Sequence, residues 1–176
     1  MSYEANRGWS DRYIPAICEI IGPRLMIVAP VKRDRDEATD LIFLTAKDVT
    51  VAARVRRPGY AERYPDDFTI RDSLPSGAAT ELTKILQGWG HWMFYGHAAE
   101  QSAPSVAAWL LIDLCQLRYF FHRHPEFLHC PDGIGRGRGY NPDGTTFRWY
   151  NARIIQRHVP GVLIASHWPS DCGVAA

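Results

Sequence analysis

Apolar and polar positions recur along this chain with two periods, and the places where one gives way to the other mark its elements. Over residues 10–21, Tyr13, Ile14, Ile17, Ile20 and Ile21 fall at helical spacing behind Ser10 as N-cap, with Pro15 early enough to be tolerated. Gly22-Pro23 ends that helix, 25–31 is a short apolar strand, and 32–37 is a charged turn. Strands over 41–45 and 49–56 form an expected β-hairpin around Ala46-Lys47-Asp48. Pairing Thr45 with Val49 sets Asp40 opposite Arg54, and a slip of one residue keeps the two adjacent.

After the breaker Arg57-Pro58-Gly59 the segment to Pro65 reads as a loop, and 67–71 as a strand alternating Phe68 and Ile70 with Thr69 and Arg71. A helix over 78–87 buries Leu82, Ile85, Leu86 and Trp89 as one stripe, leaving Glu81 and Lys84 off its centre. An aromatic strand covers 92–95. The longest helix is expected over 105–122, apolar on nearly all sides and so buried against a sheet or a second subunit. A Gly-rich loop with Arg136 and Arg138 leads to the turn Asn141-Pro142-Asp143-Gly144, a strand at 147–150 and a last strand at 162–165. No repeat or interdomain linker interrupts this, so 1–176 reads as one domain, a core over 10–96 and an extension over 97–176.

Composition narrows the reading. Hydrophobic content of 46% and charged content of 22% describe a folded globular chain. Twenty Lys+Arg against nineteen Asp+Glu leave no global field to drive it onto nucleic acid, so such binding needs a local patch. The polar start carries no signal-peptide pattern and no stretch is long and apolar enough for a bilayer; a reduced, cytoplasmic protein without a membrane partner is expected.

Helix, strand, strand with an acid, strand with a basic pair, helix, strand is the αβββαβ order. Together with Asp40 in Ala38-Thr39-Asp40 and Arg54-Val55-Arg56, it resembles the core of the PD-(D/E)XK nuclease superfamily over roughly 10–96. The resemblance implies an α/β fold with a mixed central sheet and a restriction-endonuclease-like core flanked by helices, plus a C-terminal helix and hairpin. It also implies a Mg²⁺ (or Mn²⁺) site held by Asp40. Arg54 stands where a second acid belongs, and a cation cannot ligate Mg²⁺. Glu81 is then the migrated ligand, with Asp67 a second candidate. "TDL", "RVRRPGY", "DFTIR", "TELTKI" and "GWG" further resemble uncharacterised bacterial and phage-borne proteins.

On this reading Asp40 and Glu81 hold the metal, Arg54 and Arg56 contact phosphate or transition-state charge, and Lys84 supports them. Arg71 clamps a flanking phosphate, while Arg136 and Arg138 reach phosphates and Tyr140 stacks on a base. The expected function is Mg-dependent cleavage, or nuclease-fold binding, of nucleic acid, DNA before RNA. The rival is a non-catalytic phage or mobile-element factor that binds a protein partner, and a homodimer through the long apolar helix is a further possibility. The ordinary alternatives are a cross-strand ion pair for Asp40–Arg54, an i, i+3 pair for Glu81–Lys84 and a solvated loop for 134–140. His122, His124, His129 and Cys130 cluster near a helix end, where the dipole favours histidine; their spacing is not that of a zinc site.

Overall fold

The computed structural model describes residues 8–9, 11–28, 41–43, 49–64, 66–130 and 132–168. The chain divides into two compact units, Met1–Val49 and Thr50–Ala176, and its architecture is mixed α/β.

In the first unit, helix α1 (Ile14–Ile21) starts later than expected, with Tyr13 at its N-cap and Pro15 in the first turn, where the missing N–H costs nothing. Tyr13 and Ile17 are buried, and the Arg12 guanidinium lies 4.4 Å over the Trp9 ring. A 3₁₀ turn at Gly22–Leu25 leads into β1 (Met26–Val28), which pairs antiparallel with β2 (Leu41–Phe43). Among the described residues β2 pairs with β1, and the strand that follows does not pair with it; residues 44–48, the turn of the expected hairpin of 41–45 with 49–56, lie outside them. Asp40, and with it the expected pairing to Arg54, lies outside the described residues.

The second unit is built from two sheets. β3 (Val51–Arg56) runs parallel to β5 (Trp92–Ala98), which pairs antiparallel with β6 (Val106–Asp113), and β6 with β9 (Leu163–His167). This is the expected mixed sheet, in the order β3-β5-β6-β9. β4 (Asp67–Ser73), β8 (Thr146–Asn151) and β7 (Arg136–Tyr140) make a separate antiparallel sheet in the order β4-β8-β7. The expected core strands therefore fall in three sheets rather than one.

Residues 105–122 are not one helix. Ala108–Ile112 is buried throughout as the inner strand β6, flanked by β5 and β9, so it reads as an unbroken apolar run much as a buried helix does. Asp113 ends the strand and caps helix α4 (Leu114–Arg123), accepting the Gln116 N–H at 2.9 Å. Asn151 repeats the device between β8 and helix α6 (Ala152–His158), which the sequence reading missed along with the one-turn helices α2 (Tyr60–Arg63) and α5 (Glu126–His129). Helix α3 (Glu81–Leu86) is shorter than expected because Thr80 caps it. Residues 136–140 form an edge strand rather than a loop; with β8 and the turn between them they make the expected C-terminal hairpin.

The core of this unit lies where Met93, Tyr95, Leu110 and Ile112 of the mixed sheet meet Phe68, Ile70 and Tyr150 of the antiparallel sheet. Leu117, Phe120 and Phe121 of α4 and Leu82 and Ile85 of α3 complete it. Each such side chain contributes roughly 1.5–3 kcal/mol on burial. No described helix is long and apolar enough to cross a membrane.

Candidate functional site

Alternation in a strand decides which side chains can meet. In β3 and β5 the parallel register sets Arg54 beside Tyr95 and Arg56 beside His97, so all four share the face turned to the antiparallel sheet. From there Arg54 reaches β4. Its Nη1 donates to the Thr69 carbonyl at 2.7 Å and to Thr69 Oγ1 at 3.2 Å, and its Nη2 lies 3.1 Å from Glu81 Oε2. The same Glu81 oxygen accepts the backbone N–H of Arg71 at 3.1 Å. β4 is an edge strand, and its unpaired Thr69 carbonyl and Arg71 N–H are thus satisfied by an ion pair.

The sequence-derived residues therefore separate. Arg54 and Glu81 come together with the Arg71 backbone, but as a structural clamp. Lys84 is exposed on the next turn of α3, and Arg56 lies along the strand in a neighbouring cleft. Glu81 is paired with Arg54, its expected co-ligand Asp40 lies outside the described residues, and among the described residues no group of three or more His, Cys, Asp or Glu side chains gathers. His124 sits instead against Glu126 (3.3 Å) and, ring to ring, 4.5 Å from His158.

Arg138 lies against Asp72, an almost fully buried carboxylate that also takes Arg148 Nε at 2.9 Å and the Thr146 hydroxyl. Burial pushes this carboxyl up, but the Thr146 and Arg138 hydrogen bonds and the two guanidinium charges outweigh it and hold its pKa below the ordinary range. Arg136 donates to the Cys130 carbonyl at 2.8 Å and lies over Phe127, away from the cleft.

The cleft has a volume of about 610 Å³ and opens between the two sheets. Arg56, Tyr95 and His97 line it from the mixed sheet; Asp67, Thr69, Phe147 and Trp149 line it from the antiparallel one; Tyr60, Tyr64, Arg138 and Tyr140 stand at its borders. Two glycines shape its wall. Gly137 is paired with Trp149 and Gly139 with Phe147, and a Cβ at either position would collide with the opposite ring. The alternation Gly-Arg-Gly-Arg-Gly thus lets both rings lie across the backbone of β7, as an aromatic wall.

Polar groups are sparse and specific here. The Arg56 guanidinium stacks 4.8 Å over Tyr60, and among the described residues no carboxylate pairs with it. Asp67 Oδ1 accepts Asn151 Nδ2–H at 2.9 Å, while burial raises the pKa of its carboxyl against that bond. His97 is 2% exposed, has no hydrogen-bond partner on either ring nitrogen among the described residues, and is packed between Tyr95 and Trp168. Burial first, and the Arg56 charge second, push its pKa down to about 4, so the ring is neutral near pH 7.

Of the residues read from sequence, Arg56, Arg138, Tyr140 and Asp67 line this cleft. Tyr60, Tyr64, His97, Phe147 and Trp149 were missed. The signals were present: Tyr60 and Tyr64 are spaced i, i+4 after a Pro-Gly break, and Tyr95-x-His97 alternates within a strand. No protein-family model, curated protein or solved structure matches the chain.

Proposed function

We propose that the Thr50–Ala176 unit binds single-stranded nucleic acid in the aromatic cleft, and that its role is recognition. One observation carries this reading: the cleft surrounds Arg56, which has no carboxylate partner among the described residues, with Tyr60, Tyr64, Tyr140, Phe147 and Trp149. Any nucleobase can stack on an aromatic ring, for roughly 1–3 kcal/mol per base, and a guanidinium nearby meets the phosphate that follows. Bases must be unstacked to use such rings, which favours a single strand over a duplex. Near-neutral net charge supports a local rather than a global attraction. Arg54 and Glu81 brace the sheet edge next to the cleft.

Fluorescence anisotropy with labelled single-stranded and duplex DNA and RNA tests this. Single strands are expected to bind more tightly, and Tyr140→Ala to weaken them several-fold. Equal, weak binding to all of them, unchanged by Tyr140→Ala, contradicts it.

A further inference from the structure

We propose that the cleft holds one unstacked base and selects guanine, with the Asp67 carboxylate accepting from the base's Watson–Crick edge. This rests on the nucleic-acid reading and adds the base identity to it. Asp67 is the only carboxylate among the described residues lining the cleft, and a carboxylate accepts hydrogen bonds from a base but repels phosphate. It is also anchored. Asn151 uses its Oδ1 to accept the Ile154 N–H at 3.1 Å, capping α6, so the group it turns to Asp67 Oδ1 is its Nδ2–H donor. The second oxygen, Oδ2, has no hydrogen bond within the described residues.

An oriented carboxylate in a partly dehydrated cleft asks for adjacent donors. Guanine presents two side by side, N1–H and the 2-amino group. Adenine and cytosine present one amino group next to a bare ring nitrogen that repels the second oxygen. Thymine and uracil present a single N–H between two carbonyls.

The test uses the full chain and labelled thymidine 9-mers whose central base is guanine, hypoxanthine, adenine, cytosine or thymine, read by anisotropy. Guanine is expected to bind about tenfold more tightly than the others, with hypoxanthine falling to their level because it lacks the 2-amino donor. Asp67→Asn should abolish the preference; the hypoxanthine comparison needs no variant and stands if Asp67→Asn misfolds. Equal affinity for guanine and hypoxanthine overturns the guanine assignment while the nucleic-acid reading survives. Failure of every 9-mer to bind overturns both.

Discussion

At the scale of single residues, Arg54 and Glu81 explain each other. Their side chains are partly exposed, at 23% and 26%, so the Coulomb attraction alone is modest. The larger effect is that each also satisfies a backbone group of β4, and removing either leaves polar atoms without partners. Arg54→Ala and Glu81→Ala should each lower unfolding free energy by about 1–3 kcal/mol, and the double variant should cost less than the sum of the two, as urea denaturation can measure. Additive losses would mean the two act apart. His97 supplies a second test. Its folded pKa of about 4 lies below the ordinary 6.5, so between those values the unfolded chain binds the extra proton. Its contribution is fully present above about pH 6.5 and is lost as pH falls toward 4. The fall in stability from pH 7 to pH 5 should be smaller in His97→Gln than in the wild-type chain.

At the scale of elements, two strands feed directly into helices through a side-chain cap, Asp113 between β6 and α4 and Asn151 between β8 and α6. Asp113→Ala should cost about 1 kcal/mol, read as a lower urea midpoint with the slope unchanged. These caps also show what the sequence allowed. Asp113-x-x-Gln116 is an N-cap signature, and it marks the boundary between the apolar run Val106–Ile112 and the helix that begins at Leu114. Strands at 67–71 and 92–95 were legible because alternation and aromatic content are local properties, although they run on to Ser73 and Ala98. The partner of β3 was not: a parallel pair depends on a crossover through β4 and α3, and nothing between 49 and 56 encodes it. The cleft was legible only in fragments for the same reason, since Arg56, His97 and Trp149 belong to strands far apart in sequence. Gly137→Ala should lift the Trp149 ring from β7 and lower both stability and oligonucleotide affinity, whereas Gly133→Ala, outside the cleft, should leave affinity unchanged.

At the scale of the whole molecule, near-balanced charge means that affinity for a polyanion must come from a local patch, which the proposal puts in the cleft. That makes salt dependence diagnostic. The decisive measurement is the affinity of a labelled single-stranded oligonucleotide for the wild-type chain and for Arg56→Ala across a series of salt concentrations. Arg56→Ala is predicted to weaken binding and to reduce the slope of log K against log salt by roughly 0.7, the loss of one phosphate contact on a single strand. Identical affinity and slope in the two proteins would contradict the assignment of the cleft as the nucleic-acid site.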